Sequence, residues 1–167
     1  MISASTMSTP AGPLTVFTDG GTVVAAGFTD DPDRLHRRMP HAAGYTIVDD
    51  LGDVTKALLR WLEGDLNALD EVPVRQAGTP YQQAIWTALT EIPAGRTMSY
   101  GALAERAGAP TAARAAGSAC GRNLLAPFVP CHRAVRGAGG LGGYEYGLPV
   151  KRWLLAHEQA YGIHPSG

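Results

Sequence analysis

The sequence predicts an α+β protein of two domains, and three observations indicate that class. Short β-type runs and one helical run occur in the first half, whereas helical runs follow one another in the second. Residues 75–80, Arg-Gln-Ala-Gly-Thr-Pro, have the composition of a linker. Charge divides at the same place, because residues 1–76 carry a net charge of −5 and residues 77–167 a net charge of +4. We therefore expect an N-terminal α+β domain over 1–76 and a C-terminal domain over 77–167.

The N-terminal domain is predicted to be a small sheet with one main helix. Leu14–Phe17 and Val23–Phe28 are β-type runs, and Asp19-Gly20-Gly21 between them supplies the positive-φ residues of a tight hairpin turn. Apolar residues at helical spacing predict a helix from Asp50 to Leu62. The weaker signals are a loop or a short helix over 30–40 and a short strand over 72–74.

Three helices are predicted in the first part of the C-terminal domain. Tyr81–Leu89 has apolar residues on one helical face, and Ser99 is a good N-cap for a helix over Tyr100–Ala107. Gly108-Ala109-Pro110 then turns the chain into a third helix, Thr111–Ala119. Two helices joined by a turn that contains glycine form a helix-turn-helix pattern, which is typical of DNA-binding domains.

The third of these helices is unusually rich in small residues. Ala113, Ala115 and Gly117 belong to a run of small side chains around one large cation, Arg114. One interpretation is a packed helix with a solvated arginine. The other is a smooth face that approaches a DNA groove closely, with the arginine entering the base stack. The positive charge of this half favours the second, although a chance division of charge would look the same.

Residues Pro130-Cys131-His132-Arg133 are the strongest sign of chemistry in the chain. Thiolate is the reactive form of cysteine, and a nearby imidazole is a common means of generating it. Cys120 is the only other cysteine, which excludes a four-cysteine zinc site and argues against a secreted disulfide scaffold. We therefore expect no metal and a reduced, cytoplasmic setting. No signal segment or bilayer-spanning run is visible, so no membrane partner is expected.

The residues around Cys131 resemble those of one family. The matching positions are Asn123, Gly142-Gly143-Tyr144, Lys151, Trp153-Leu154-Leu155 and Glu158. This frame resembles the DNA-repair alkylguanine alkyltransferases, also called methylated-DNA–protein-cysteine methyltransferases. The resemblance covers about residues 79–158 well and the N-terminal half loosely.

The resemblance implies a fold and a reaction. The fold is an RNase H-like N-terminal domain followed by a winged-helix-like domain whose helix-turn-helix binds the minor groove. In the reaction, the damaged guanine of double-stranded DNA is flipped out and its O6-alkyl group moves irreversibly to the protein's own cysteine. O4-methylthymine is expected as a second substrate, and no cofactor is needed because the lesion is the alkyl donor. The protein is expected to act as a monomer, with cooperative binding on DNA left open.

The resemblance also implies residue roles. The catalytic set is Cys131 as nucleophile, His132 as base through an ordered water, Glu158 as the group that orients His132, and Asn123 as a brace for the cysteine turn. The DNA-binding and base-flipping set is Arg114 as intercalating finger, Tyr100 as the residue that turns the nucleotide outward, and Ala113, Ala115 and Gly117. The substrate-pocket set is Tyr144, Glu145, Tyr146, Val129 and Pro130.

Charged residues near the cysteine carry further expectations. Arg133 is expected to be structural or to contact phosphate. Glu145 near DNA costs affinity unless it pairs with a nearby cation such as Arg136 or Lys151. Glu158 shares a helix face with Leu154, so its carboxylate is expected to be aimed in the same direction.

The sequence departs from the family pattern at two positions of the substrate pocket. Glu145 and Tyr146 stand where the family usually has small residues, so an inward tyrosine ring predicts a preference for methyl over larger alkyl groups.

One alternative function is a cysteine hydrolase, although such enzymes bring their histidine from a distant part of the chain. The other is a non-catalytic helix-turn-helix regulator with an incidental cysteine. Stoichiometric methylation of Cys131 by methylated DNA separates the three.

Overall fold

The computed structural model describes residues 2–40 and 43–161, and the chain divides into two compact units. Unit 1 contains the described residues up to Ala77 together with Leu124–Phe128. Unit 2 contains Gly78–Asn123 and the described residues from Val129 onward. The predicted boundary after residue 76 lies one residue from the observed one. The prediction of an uninterrupted second domain is wrong, because 124–128 pairs with unit 1: the Ala26 amide donates to the Leu124 carbonyl at 2.8 Å.

Unit 1 is built on a four-stranded sheet of order β3-β2-β1-β4. The strands are β1 (Ile2–Thr9), β2 (Gly12–Asp19), β3 (Thr22–Gly27) and β4 (Tyr45–Ile47). Neighbours are antiparallel except for β4, which runs parallel to β1. The predicted hairpin is confirmed, with Gly20 and Gly21 at φ of 60° and 85° in its turn. The strand β1 was not predicted.

Two short helices complete unit 1. They are α1 (Pro32–His36), which begins after the N-cap Asp31, and α2 (Asp53–Leu62), and a 3-10 turn follows at Ala68–Glu71. The predicted helix is confirmed as α2, whose buried face includes Leu58 and Trp61. The strand predicted over 72–74 is not formed. Val74 makes only an isolated parallel bridge with Val23, through the backbone hydrogen bonds from Val23 to Pro73 and from Arg75 to Val23.

Unit 2 is mainly helical. Its elements are α3 (Pro80–Thr90), β5 (Met98–Ser99), α4 (Tyr100–Arg106), α5 (Ala113–Arg122), a 3-10 turn (Cys131–Arg133), β6 (Ala134–Val135) and α6 (Leu148–Tyr161). The strands β5 and β6 form a short parallel pair. The α+β class is thus confirmed. No helix in the described part of the chain is both long and apolar enough to cross a bilayer.

Side-chain caps determine where the first helices of unit 2 begin. Thr79 and Gln82 form a capping box at the start of α3, and the Ser99 hydroxyl accepts from the Ala102 amide at the start of α4. Helices α4 and α5 form the predicted helix-turn-helix pair, with Gly108 at a φ of 85° in the turn. Helix α5 begins two residues later than predicted and continues to Arg122, because Thr111 remains in the turn.

Candidate active site

The turn that carries Cys131 is held by its own backbone and by Asn123. The Asn123 Nδ2 donates to the Val129 carbonyl at 2.9 Å, and the Cys131 amide donates to the same oxygen at 2.9 Å. The side chain of Asn123 is buried, so this bond is shielded from water. Cys131 begins a 3-10 turn. The two hydrogen bonds to the Val129 carbonyl, one from Asn123 and one from Cys131 itself, fix the position of this turn. The geometry agrees with the brace that was predicted for Asn123.

His132 and Glu158 form a buried hydrogen-bonded pair. The His132 Nε2 lies 2.9 Å from the Glu158 Oε2, and the two side chains are 1% and 2% exposed. An ionised carboxylate only accepts, so the ring donates through Nε2–H, and Nδ1 is then the nitrogen with the lone pair. Within the described residues, Nδ1 is buried without a hydrogen-bond partner. The pair therefore presents one unused basic nitrogen in the residue next to the cysteine.

Arg133 completes this cluster by binding the same carboxylate as His132. Its Nη2 donates to the Glu158 Oε2 at 2.6 Å, its Nε lies 3.0–3.1 Å from both carboxylate oxygens, and its Nη1 donates to the Ile92 carbonyl. These bonds to protein acceptors give Arg133 a structural role, and the phosphate contact that was the alternative stays a prediction.

The electrostatics of the cluster follow from burial and from these bonds. Burial lowers the pKa of His132 below its ordinary value, against the opposing effect of Glu158. Burial alone would raise the pKa of Glu158, but the hydrogen bonds and charges of His132 and Arg133 outweigh it and lower that pKa to about 2. The resting cluster near neutral pH is thus a neutral imidazole, a carboxylate and a guanidinium.

Lys151 is a fully buried lysine that joins β6 to the glycine-rich loop, residues 136–147. Its Nζ donates to the carbonyls of Ala134 at 2.7 Å, Leu141 at 2.5 Å and Gly143 at 3.2 Å. The same ammonium lies 6.0 Å from the ring centroid of Tyr100. Of the two cations predicted as partners for Glu145, Lys151 is engaged by these carbonyls, and Arg136 stays a prediction.

A cavity of about 670 Å³ opens beside Cys131. It is lined by Tyr100, Gly101, Ala113, Arg114, Gly117, Cys120, Gly121, Asn123, Cys131, Arg136, Gly137, Gly142, Gly143, Tyr144, Glu145 and Tyr146. Its volume lies in the range of sites that accept a small molecule. A side chain on Gly142 would meet the Tyr100 ring, since its Cβ would come within 2.9 Å of the Tyr100 hydroxyl. The loop can therefore pack this closely on Tyr100 only with glycine there.

Most of the predicted site residues line this cavity, and five do not. Two of the five, His132 and Glu158, form the buried pair described above. Ala115 is exposed and lies outside the lining. Val129 and Pro130 were predicted to line the pocket, and this cavity does not include them. Both are buried, and the part of Val129 that acts on the site is its carbonyl, through Asn123 and Cys131. Glu145 is exposed at the edge, whereas Tyr144 and Tyr146 are half-buried with ring centroids 5.7 Å apart.

The two cysteines share this cavity but differ in environment. Burial and the nearby Cys131 thiol raise the pKa of Cys120 to about 12, so Cys120 stays a neutral thiol near neutral pH. Burial and the Cys131 thiol also raise the pKa of Tyr144 well above its ordinary value. The Tyr144 hydroxyl therefore remains a proton donor. No group of three or more metal-ligating side chains lies close together in residues 2–40 and 43–161.

Sequence reasoning named Lys151 and Arg133 but not the partners that they have here, and it did not place Cys120 at the site. A signal was present for Lys151, because it shares the buried face of α6 with Leu154 and Glu158 at positions i, i+3 and i+7. A lysine on such a face requires buried acceptors. No comparable sequence signal identifies the partners of Arg133 or the position of Cys120.

Comparisons with known proteins show which family this chain resembles. The family model "6-O-methylguanine DNA methyltransferase, DNA binding domain" matches residues 80–160. A methylated-DNA–protein-cysteine methyltransferase of Shigella flexneri is 36% identical over 158 residues, which cover 91% of this chain and 92% of that protein. One of Mycobacterium bovis is 39% identical over 163 residues, which cover 96% and 94%.

A solved structure shows the same similarity. The crystal structure of Mycobacterium tuberculosis OGT in complex with DNA matches with a TM-score of 0.80 at 34% identity, covering 96% of this chain and 94% of that one. Sequence relatives and fold therefore lead to one conclusion: the chain belongs to the family of methylated-DNA–protein-cysteine methyltransferases.

Proposed function

We propose that this protein repairs DNA in a single turnover by moving the alkyl group of O6-alkylguanine irreversibly to the Sγ of Cys131. The observation that carries the proposal is the setting of Cys131. It lines a cavity of about 670 Å³, and the next residue is a buried histidine paired with a buried carboxylate. Membership of the family supports the same reaction.

The reaction balances without a cofactor. Sulfur forms a bond to the alkyl carbon, the bond from that carbon to O6 breaks, and the electron pair stays on the guanine. His132 takes the thiol proton at Nδ1 through a water, and a proton returns to the guanine, which leaves unmodified. Glu158 holds the imidazole in the tautomer that this step requires. The protonated Tyr144 hydroxyl is suited to donate a hydrogen bond toward the departing oxygen.

The partner of this surface is double-stranded DNA that contains O6-alkylguanine, with O4-methylthymine as a second lesion. Tyr100, Ala113, Arg114 and Gly117 line the same cavity as Cys131, which supports a route by which an extruded base reaches the sulfur. The exposed Arg114 near the start of α5 is suited to occupy the vacated stack. The relative from Mycobacterium tuberculosis was crystallised in complex with DNA, which supports the same partner here.

The finer fold assignments belong to this proposal as well. A four-stranded mixed sheet in unit 1 supports an RNase H-like domain. The pair α4 and α5, with the short β5–β6 pair, supports a winged-helix-like domain. The protein is proposed to act as a monomer in the cytoplasm.

Mass spectrometry of the intact protein tests the function. After incubation with a duplex that carries O6-methylguanine, we expect the mass of one methylene to be added per protein, located on Cys131 by peptide mapping. Cys131→Ser should bind the duplex without gaining mass, because a neutral hydroxyl is a far weaker nucleophile than a thiolate. Cys120→Ser is the matched control and should gain mass as the wild type does. An unchanged wild-type mass, or a methyl group on Cys120, would contradict the proposal.

A further inference from the structure

Arg133 is a cation that shares the Glu158 carboxylate with His132, the histidine next to the nucleophile. Its side chain is 13% exposed, and it donates to both carboxylate oxygens while Nη1 is fixed on the Ile92 carbonyl. A guanidinium held at both ends in this way has a fixed position and cannot leave the carboxylate without giving up a second bond. The fixed position of the Arg133 guanidinium therefore affects the protonation of His132 as well as that of Glu158.

The electrostatic environment of His132 depends on the hydrogen bonds between Arg133 and Glu158. A buried carboxylate hydrogen-bonded to an imidazole favours the imidazolium form strongly when nothing else neutralises it. With the guanidinium in place, the carboxylate charge is already compensated, and a proton on His132 would bring a second positive charge to Glu158. Protonation would also place a hydrogen on Nδ1, the buried nitrogen without a partner in the described residues. The base would then be lost.

We propose that Arg133 is a positioning residue for the alkyl transfer, which keeps His132 neutral by sharing the Glu158 carboxylate. The inference rests on the proposed function, since it assigns Nδ1 of His132 the role of base. It adds to that function a cause for the protonation state of the base. In this scheme Arg133 touches neither the alkyl group nor the DNA.

The charged and titratable groups around the pair come from three elements. The 3-10 turn contributes Cys131 and Arg133, α6 contributes Lys151, and the glycine-rich loop contributes Tyr144. Arg133 and Lys151 both oppose a positive charge on His132, whereas Glu158 favours one. Removing the charge of Arg133 should therefore raise the pKa of His132, and with it the pKa of Glu158. Both changes impair the base at acid pH and leave it intact at alkaline pH.

The test measures first-order alkylation of Cys131 at saturating methylated duplex across pH. Each variant's rate is divided by the wild-type rate at the same pH, so that titration of the thiol and DNA binding cancel. For Arg133→Gln we expect the rate ratio to fall as the pH is lowered from about 8.5, and to become about tenfold lower at pH values below the pKa of His132 in both proteins, which corresponds to a rise of about one unit in that pKa. Arg133→Lys keeps the charge and should show at most about a third of that change on a logarithmic scale.

Arg152→Gln is the control, because it removes one positive charge from the exposed side of α6. Its rate ratio should be constant across pH. A pH-independent loss in Arg133→Gln, or an equal pH dependence in Arg133→Lys, would overturn the inference and leave Arg133 a purely structural residue. If Arg133→Gln does not fold, Arg133→Lys and an NMR titration of His132 in the wild type remain decisive. A His132 pKa above its ordinary value in the wild type would overturn it too. Failure of the wild type to methylate Cys131 would instead reject the proposed function.

Discussion

The two units bury different kinds of polar side chain. In the described part of unit 1, the buried polar residues are the threonines Thr15, Thr18 and Thr29. Thr15 donates to the Thr29 carbonyl at 2.7 Å, so a neutral hydroxyl is satisfied locally. The corresponding set in unit 2 is Asn123, His132, Lys151, His157 and Glu158. Unit 1 buries neutral groups, whereas four of the five in unit 2 are ionisable.

The difference separates a core built for stability from one built around chemistry. Burying a hydroxyl with a partner costs little, whereas burying a charge costs several kcal/mol per ion before partners offset it. An ionisable group in a core therefore indicates a role that a hydrophobic residue cannot perform. The two lysines of the chain differ in burial in the same way: Lys56 in unit 1 is exposed, whereas Lys151 in unit 2 is buried.

Glu158→Gln should produce the largest loss of stability. Removing one charge from a buried hydrogen-bonded cluster leaves Arg133 without a counter-ion, which costs about 3–5 kcal/mol near pH 7. A carboxylate whose folded pKa is depressed contributes stability that is complete above its unfolded pKa of about 4.3. That contribution is lost as the pH falls through the folded value of about 2. The gap between wild type and variant in urea unfolding should therefore narrow progressively below about pH 4.3.

Thr15→Val in unit 1 is the matched control for this prediction. It removes a buried hydroxyl that carries no charge, so its cost of about 1–2 kcal/mol should not change with pH. Equal pH dependence in the two variants would remove the contrast between the two cores. A gap for Glu158→Gln that is constant down to about pH 2 would show that folding does not lower the pKa of this carboxylate.

Lys151→Met should have the next largest effect. Three carbonyls lose their donor, and each buried acceptor left without a partner costs about 1–3 kcal/mol, offset in part by the removed burial of a charge. We expect a net loss of about 2–3 kcal/mol in unfolding free energy and alkylation at least about tenfold slower, because the glycine-rich loop is released from its position. Lys56→Met in unit 1 should change stability by less than about 0.5 kcal/mol. Similar losses in both variants would contradict the role of Lys151 in the loop.

Local sequence signals accounted for much of the fold but not for β1. The hairpin of β2 and β3 and the helices α2 to α5 have their own signals in turn glycines, caps and helical spacing. The segment Ile2–Thr9 is mostly serine, threonine and alanine, without alternating large apolar residues. It is a strand because it pairs with β2 along eight positions, and such pairing is a property of the tertiary structure. The place of residues 124–128 in unit 1 was not predicted for the same reason, since it depends on pairing with a strand that is distant in sequence.

The site was predictable where its members are neighbours or match a family motif. Cys131 and His132 are adjacent, and Asn123 and Glu158 were found through the resemblance. The role of Arg133 was not found, because its acceptors lie 25 and 41 positions away in sequence and one of them is a backbone carbonyl. Backbone acceptors have no residue identity, so a sequence pattern cannot reveal them. The three carbonyl partners of Lys151 escaped prediction for this reason.

Arg114→Ala tests whether the exposed cations of the two units differ in function. If Arg114 occupies the space of the extruded base, the variant should alkylate about tenfold more slowly with duplex, and much less so with a short single strand that carries the same lesion. Arg75→Ala in unit 1 removes a cation that is paired with Asp19 on the surface, and it should affect both substrates little. The measurement is the rate of Cys131 alkylation by each variant on the duplex and on the single strand. An equal loss on duplex and single strand would mean that Arg114 supplies only charge.

Tyr146→Gly should have the smallest effect on methyl transfer and a selective one on larger groups. Tyr146 lines the cavity with Cys131, and its ring meets that of Tyr144 edge to face at 5.7 Å. This position favours the inward ring of the two orientations that the sequence left open, so the tyrosine occupies volume that a benzyl group would need. We expect the variant to alkylate Cys131 from benzylated guanine about tenfold faster than the wild type, while transfer from methylated guanine changes by less than about threefold. Glu145→Gly, on the exposed neighbour at the cavity edge, should leave the ratio of benzyl to methyl rates unchanged. If the wild type accepts benzyl as readily as Tyr146→Gly does, the ring does not limit the pocket, and the preference for methyl must be sought elsewhere on its wall.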